Sequence, residues 1–189
     1  MKKLALSLLV VSGLFSSAAF ADLNYGLEVG VRSQSGDTDA VGGSTDSQTA
    51  MQFGIFGIMP ISGPWNLRTG LLYTQRPLIE KVGGVENKID MNYVDIPVNI
   101  MYKFEEYAGV YLGVNLAMNM DKKCGAANCT IGDVASPLIP LTVGASFKFA
   151  PNLGLNVYFE SAGGKVAVTN NHDLKNYRAV GANLLVTFD

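Results

Sequence analysis

Beyond its first twenty residues the chain lacks the long apolar run that a transmembrane helix requires. No later segment holds eighteen consecutive apolar residues, and no helical 3.6-residue period appears. Histidine and cysteine are scarce, with one His and two Cys in 189 residues, so the sequence predicts no metal centre and no cofactor site. Basic runs are also missing and the formal net charge is −2, which argues against a nucleic-acid partner.

The N-terminus carries the pattern of a secretory signal peptide over residues 1–21. Lys2 and Lys3 supply the charged start, residues 4–15 the apolar stretch, and residues 19–21 a small-x-small cleavage site. An uncleaved membrane anchor is disfavoured because the apolar stretch is shorter than the roughly 20 residues that a span needs. The mature domain is therefore expected over residues 22–189, in the periplasm or the outer membrane of a Gram-negative bacterium, with a net charge of −4 once both lysines are removed.

The clearest pattern lies between Asn92 and Met120, where apolar and polar residues alternate along two segments joined by Glu105 and Glu106. Because successive side chains of a strand point to opposite faces, each segment has one apolar face and one polar or small face. The apolar phase comprises Val94, Ile96, Val98, Ile100, Tyr102 and Phe104, followed by Ala108, Val110, Leu112, Val114, Leu116 and Met118. At roughly 12 residues, each segment slightly exceeds the 9–11 residues that cross a bilayer at a tilt. The stretch is interpreted as one hairpin of a membrane-spanning barrel.

The same alternation recurs along the chain and predicts eight strands. Their expected bounds are 23–32, 49–59, 65–76, the two strands of the 92–120 hairpin, 137–149, 153–161 and 176–188. Long polar connections follow every odd strand, at 33–48, 77–87, 121–136 and 162–175, whereas short turns follow the even ones. Outer-membrane barrels have short periplasmic turns and longer external loops. The predicted fold is all-β: an eight-stranded antiparallel up-and-down transmembrane β-barrel with short periplasmic turns and four long external loops.

The orientation of the two faces decides between a membrane barrel and a soluble one. The polar phase carries eight charged residues, expected to form a salt-bridge network in a narrow interior, with a channel lining as the alternative: Glu28, Arg32, Arg68, Arg76, Asp95, Lys103, Lys148 and Glu160. Aromatic residues near the strand ends are expected to form girdles at the two lipid interfaces: Tyr25, Trp65, Tyr73, Tyr102, Phe104, Tyr107, Phe147, Phe149, Phe159 and Phe188. Phe53, Tyr93 and Tyr177 are placed with the girdle at the long-loop end. The apolar faces are therefore assigned to lipid.

The first strand of the 92–120 hairpin carries a recognisable motif. The residues from Tyr93 to Phe104, YVDIPVNIMYKF, resemble the Y-x-x-I-P-x-x-x-x-Y-x-F strand of PorT-like outer-membrane barrels, and the layout of the mature chain resembles small OmpA/OmpX-type barrels. The resemblance implies an outer-membrane β-barrel that the outer-membrane assembly machinery inserts. The terminal strand of such barrels commonly ends in an aromatic residue, whereas here Phe188 is penultimate. Pro97 cannot donate to a ladder, so a bulge or an unpaired carbonyl is expected beside it.

Few residues are candidates for chemistry. Cys124 and Cys129 are expected to form a disulfide that pins the third long loop, with free thiols as the alternative. His172 has Ser161 and Asp173 nearby in sequence, but no hydrolase motif surrounds them, so a solvated loop histidine is expected. The sequence predicts no catalytic residue and no enzyme activity.

These features favour a monomeric, non-enzymatic outer-membrane protein with an envelope-structural or surface-interaction role. Its expected partners are outer-membrane lipid and lipopolysaccharide, the assembly machinery, and an external protein or cell surface met through the loops. Three alternatives stay open: a small pore for ions or very small solutes, a barrel enzyme acting on lipid A or phospholipid, and a soluble periplasmic barrel that binds an apolar ligand.

Overall fold

The computed structural model describes residues 23–125 and 129–188, and eleven strands account for most of them. The strands are β1 (Asn24–Thr38), β2 (Ser44–Asp46), β3 (Gln48–Ser62), β4 (Trp65–Gln75), β5 (Leu78–Val82), β6 (Val85–Glu105), β7 (Ala108–Cys124), β8 (Ile131–Val134), β9 (Leu141–Ala150), β10 (Leu153–Thr169) and β11 (His172–Phe188). Within these ranges no helix is long and apolar enough to cross a membrane. The predicted signal peptide lies outside the described residues.

Eight of the strands form a closed antiparallel ring. The order around it is β1, β3, β4, β6, β7, β9, β10 and β11, and β1 then pairs with β11 to close it. The closing register starts at Tyr25 opposite Phe188 and ends at Thr38 opposite Leu174. Every ring strand therefore has a neighbour on both sides over at least part of its length, which removes the free edges that invite association with other chains. The even number of strands and the up-and-down order agree with the prediction.

Alternation along each strand separates an outer from an inner face. On β6 the side chain of Val98 is 41% exposed and that of the next residue, Asn99, is 1% exposed. The outer apolar residues of the ring are exposed in the same way and are named the apolar belt: Leu27, Val29, Val31, Phe53, Ile55, Leu71, Ile96, Val98, Ile100, Leu112, Val143, Leu155, Val157 and Leu184. Polar and charged side chains fill much of the interior instead.

The four long connections are less irregular than the sequence suggests. Residues 77–87 form β5 and the start of β6, while residues 162–175 belong almost entirely to β10 and β11. Residues 33–48 contain the end of β1 and the short β2, and residues 121–136 contain the end of β7 and β8. The prediction of long loops is wrong for these parts, because their glycine and polar residues sit on strand extensions rather than ending the strands.

Tight turns replace the predicted loops at two of these places. Gly83 and Gly84 have φ values of 59° and 81° between β5 and β6, as a two-residue hairpin turn with positive φ requires. Asn170 and Asn171 have φ values of 48° and 67° between β10 and β11, and asparagine tolerates this left-handed region better than most residues. Gly163 and Gly164 belong to the predicted connection 162–175, but they lie within β10, where its register shifts against β11.

Pro97 leaves a different signature from a bulge. The β6–β7 register passes Pro97 opposite Asn115 without a shift. On the other side of β6, the pairing with β4 is interrupted between the pairs Thr69–Val98 and Leu72–Asp95. The predicted bulge is therefore absent from both ladders, and the missing proline N–H coincides with a local gap in the β4–β6 pairing.

Candidate functional site

Three arginines and three carboxylates meet in the middle of the ring. Arg76 on the strand end after β4 makes a bidentate pair with Asp95 of β6, with N–O distances of 2.8 and 2.7 Å. Glu160 of β10 accepts from Arg32 of β1 at 2.5 Å and lies 3.5 Å from Arg76. Asn115 also donates to Glu160. The Glu160 carboxylate of β10 thus joins one arginine of β1 and one that follows β4.

The side-chain amide of Gln52 links a further ion pair to Arg32. Glu28 pairs with Arg68, and Gln52 connects this pair to Arg32 by accepting from Arg32 Nη1 at 3.1 Å. The Gln52 amide nitrogen lies 3.5 Å from Glu28 Oε1, and the Tyr158 hydroxyl donates to Gln52 Oε1 at 2.8 Å. We call the six charged residues with Gln52 the central ion network: Glu28, Arg32, Gln52, Arg68, Arg76, Asp95 and Glu160.

The central ion network has equal numbers of positive and negative groups, and its side chains leave little unfilled volume beside them. Three guanidinium groups face three carboxylates, and every one of these six residues is at most 3% exposed. Aromatic rings cover the arginines, with Arg76 4.9 Å from the Tyr93 ring centroid and Arg68 5.0 Å from that of Tyr111. A cavity of about 10 Å³ is left beside the network, which is about the space of one water molecule. The network residues therefore pack closely across this part of the interior.

An apolar cluster lies on the long-loop side of the network. Ile89, Met91 and Leu174 are fully buried there, and residues of the long connections, including Ile131 and Val134, pack against them. The complete loop-end cluster is Leu78, Ile89, Met91, Tyr93, Ala117, Leu138, Ala162, Val166, Ala167, Leu174, Tyr177 and Ala179. The long connections therefore fold over the interior and close this end with a packed core.

The structure joins Cys124 and Cys129 in a disulfide, as the sequence predicts, with a Cα–Cα distance of 5.8 Å. Cys124 packs against the loop-end cluster. The disulfide thus ties the end of β7 to the segment that leads into β8.

The short-turn end of the interior is open. Its apolar residues Phe56, Ile58, Met101 and Leu185 are buried, and they line a cavity of about 450 Å³. Lys103 and Lys148 also line this cavity. We name it the turn-end cup, because the turns at this end are too short to cover it.

The structure separates the eight predicted interior charges into two groups. Six of them form the central ion network, whereas Lys103 and Lys148 lie in the turn-end cup and make no ion pair with any described residue. The inclusion of both lysines in one salt-bridge network therefore needs correction. They sit nearer the strand ends than the six, beyond the reach of the buried carboxylates.

Several polar residues of the interior were missed from the sequence. Gln52 lies on the inner phase of β3, Tyr177 accepts from Arg32 and donates to Gln34 at 3.1 Å, and Glu80 is buried and accepts from the Thr38 hydroxyl at 2.6 Å. Inner-phase position could have identified Gln52. Glu80 could not be found that way because its segment was taken for a loop.

The predicted girdle residues lie mainly on the outer face at the strand ends. At the short-turn end, ring centroids of Trp65 and Tyr102 are 5.0 Å apart and those of Tyr25 and Phe188 are 6.1 Å apart. The other exposed girdle members are Phe104, Tyr107, Phe147, Phe149 and Phe159, while Tyr73 and Tyr102 are partly buried. Assigning Tyr93 and Tyr177 to the girdle was wrong, because both rings are fully buried against the arginines of the interior.

The residues considered for catalysis or metal binding do not assemble into a cluster. His172 and Asp173 follow the turn at Asn170 and Asn171, and Asp173 pairs with Lys165 at 2.8 Å. Among residues 23–125 and 129–188, no group of three or more His, Cys, Asp or Glu could hold a metal ion.

A closed ring of eight antiparallel strands with an apolar exterior and a charged interior defines the class of small up-and-down β-barrels. The chain matches the family model described as outer membrane protein beta-barrel domain over residues 6–188, and it belongs to that family. This confirms the resemblance read from the sequence. No curated protein matches the chain in sequence.

Several solved structures are similar to the chain at low sequence identity. The outer membrane protein OprG from Pseudomonas aeruginosa is 10% identical with a TM-score of 0.53, and the match covers 87% of this chain and 93% of OprG. Neisserial surface protein A is 16% identical with a TM-score of 0.47, covering 87% and 97%. The attachment invasion locus protein Ail of Yersinia pestis is 12% identical with a TM-score of 0.48, covering 87% and 98%.

Proposed function

We propose that this protein is a non-enzymatic integral protein of the bacterial outer membrane whose sealed barrel anchors the long-loop end outside the cell. The loop end then serves envelope structure or contact with an external protein or surface. The barrel is a monomer that lipopolysaccharide and membrane lipid surround. The outer-membrane assembly machinery inserts it after the signal peptide is removed. The observation that carries the proposal is the closed interior behind an exposed apolar belt.

The outer face supports a membrane location. The apolar belt runs around the whole ring, and exposed apolar surface on this scale marks contact with a membrane or another protein. Polar residues replace apolar ones on the outer face towards the loop end, at Ser33, Thr49, Gln75, Asn92 and Arg178. Register places Ser33 opposite Thr49 and pairs Gln75 with Asn92, so the belt ends at a shared level on neighbouring strands. A soluble carrier would need the opposite orientation, with the apolar phase inside.

The interior favours an anchor over a pore. Ions or small solutes would have to pass both the central ion network and the loop-end cluster. Moving one charged partner of a buried pair aside leaves the other uncompensated, which costs several kcal/mol. The packed interior therefore supports a structural network rather than a channel lining.

Planar-bilayer recording tests the closed lumen. Purified protein, with its folded state checked by the mobility of the unboiled sample on a gel, should give no stable conductance steps. A variant combining Arg76→Ala, Asp95→Ala and Glu160→Ala removes side chains from the network and serves as a comparison that should raise leak current if it folds. Stable single-channel steps from the unaltered protein would favour the pore instead.

Amine labelling tests which end faces outward. A membrane-impermeant amine reagent added to intact cells should modify the exposed loop-end lysines Lys81, Lys88, Lys123 and Lys165. Lys103 and Lys148 should react only after the cells are opened, because the short turns face the periplasm. Peptide mass spectrometry reads out both sets in one sample, and labelling of the turn-end pair alone would reverse the proposed orientation.

A further inference from the structure

We propose that the turn-end cup binds a single-chain alkyl carboxylate, with the chain on the apolar floor and the carboxylate between Lys103 and Lys148. Only the compartment of this ligand, the periplasm, rests on the function proposed above. The binding itself depends on the shape and charge of the cup.

The floor of the cup suits an alkyl chain. Phe56, Ile58, Met101 and Leu185 all occupy inner-phase positions and border the open volume. That volume, about 450 Å³, falls within the roughly 300–1,000 Å³ of small-molecule sites. An alkyl chain that covers this apolar surface removes it from water, which is favourable in proportion to the area covered.

The mouth of the cup brings two cations together. Lys103 lies on β6 and Lys148 on β9, with only β7 between them. Register places Lys103 opposite Gly109 and Gly109 opposite Ser146, and Lys148 is two residues further along the same face as Ser146. Gly109 contributes no side chain between the two lysines, and the space above it is occupied by the methyl group of Met101.

Neither cation has an acidic partner at contact distance among the described residues. Their ammonium groups repel each other, and the attraction that Lys103 feels comes from Glu106. Glu105 and Glu106 line the rim, but both are exposed to solvent while the lysines are partly buried. A carboxylate placed between the lysines would relieve their repulsion and form charge-assisted hydrogen bonds.

This combination selects one chemical class. An uncharged alkyl chain would use the floor and leave the lysines unpaired, and a cationic amphiphile would add to their repulsion. A monoanionic head on a single chain satisfies both parts of the cup at once.

Methionine methyl NMR can locate the ligand, because the methionines divide among the environments of the barrel. With protein carrying ¹³C-methyl methionine in phosphatidylcholine nanodiscs, decanoate should shift the Met101 resonance with a saturable dependence on concentration. Met51 and Met118 are exposed on the outer face and report decanoate that merely dissolves in the bilayer. Met91, buried in the loop-end cluster, should not move.

Variants and a second probe separate the two parts of the site. Lys103→Gln combined with Lys148→Gln should weaken decanoate binding at Met101 by at least about tenfold, whereas the matched Lys88→Gln and Lys165→Gln protein should bind normally. 1-Decanol should bind the unaltered protein about as weakly as decanoate binds the cup variant.

Three results would each overturn the proposal: a Met101 resonance that decanoate leaves in place, equal binding of decanol and decanoate, or an unchanged affinity in the cup variant whose Met101 signal shows it is folded. None of these depends on conductance or on which end faces outward, so failure here is distinguishable from failure of the anchor function.

Discussion

The two ends of the interior follow the same alternation of side chains yet are filled in opposite ways. At the loop end, Ile89, Met91 and Leu174 are fully buried under the folded connections. At the turn end, Phe56 and Leu185 border an open cavity of about 450 Å³. The sequence of each strand is therefore insufficient to explain whether its end of the barrel is closed.

Connection length explains the difference. The short turns between β6 and β7 and between β9 and β10 leave two residues each outside the strands, which is too few to reach across the interior. The long connections add strands of their own, and their inner faces supply apolar side chains above the ring. The central ion network lies between the two ends of the interior and separates the closed loop end from the open turn end.

The largest expected effect is at the network itself. Glu160→Gln removes the charge that balances Arg32, and breaking a buried pair in this way typically costs about 3–5 kcal/mol. Urea unfolding in lipid vesicles, followed by the fluorescence of the single tryptophan, Trp65, measures the loss. Lys165→Gln, which breaks the half-exposed pair with Asp173, is the control and should stay within about 0.5 kcal/mol. A Glu160→Gln protein as stable as that control would mean that water reaches the network.

The next effect compares the two apolar regions directly. Leu174→Ala at the closed end should cost about 3 kcal/mol, because it leaves a cavity in a packed cluster. Leu185→Ala borders space that already exists, so its cost should be about 2 kcal/mol, at the lower end for such substitutions. The same unfolding assay measures both. A reversed order would indicate that the loop-end cluster is loosely packed and that the long connections do not seal the ring.

A smaller effect is expected from the disulfide. Replacing Cys124 and Cys129 by serine opens a short loop, so the loss should be at most about 2 kcal/mol. Cys124 contacts the loop-end cluster, and hydrogen exchange should therefore increase near β7 and β8 while the turn end is unchanged. Equal changes at both ends would show that the two regions are coupled rather than independent.

The smallest effect concerns pH at the loop surface. The backbone N–H of Asp173, at 2.6 Å, and the Lys175 ammonium, at 3.1 Å, both donate to Asp39 and lower its pKa. Because the pKa of Asp39 is lower in the folded than in the unfolded state, this contact stabilises the folded protein at pH values above the unfolded-state pKa. The stabilisation is lost as the pH falls below about 4. Asp39→Asn should therefore reduce the difference in unfolding midpoint between pH 6 and pH 3. An unchanged difference would show that the contact does not persist in solution.

Much of the ring could be predicted from the sequence because one rule governs it. A strand that faces lipid on one side and a narrow interior on the other needs strict alternation, and residues such as Val98 and Asn99 display it directly. The eight strands, their order and the inward position of Glu28, Arg32, Arg68, Arg76, Asp95 and Glu160 follow from that pattern. Their pairing does not, since it depends on the stagger between strands that are far apart in sequence.

Strict alternation of apolar and polar residues does not extend beyond the apolar belt at the loop end. Residues 77–87 and 162–175 form hairpins surrounded by solvent and by the loop-end cluster, so polar residues occur on both faces and glycine marks turns or bulges rather than loop tips. Glu80 was misjudged for this reason. Alternation does place Tyr93 and Tyr177 on the inner face, and both were misjudged because the girdle was assigned from position along the strand without regard to phase. The turn-end cup could not be predicted either. A cavity depends on how much of the interior volume the side chains fill, and alternation predicts only the face on which each side chain lies.

Collision measurements on a nitroxide at Val98 test the orientation of the faces most directly. The protein is reconstituted in vesicles as the Val98→Cys variant, in which the disulfide-bonded Cys124 and Cys129 do not take the label. The label should collide with dissolved oxygen, which concentrates in lipid, more often than with a water-soluble nickel chelate. A label that favours the nickel chelate, or that neither reagent reaches, would contradict a barrel whose apolar belt faces the membrane.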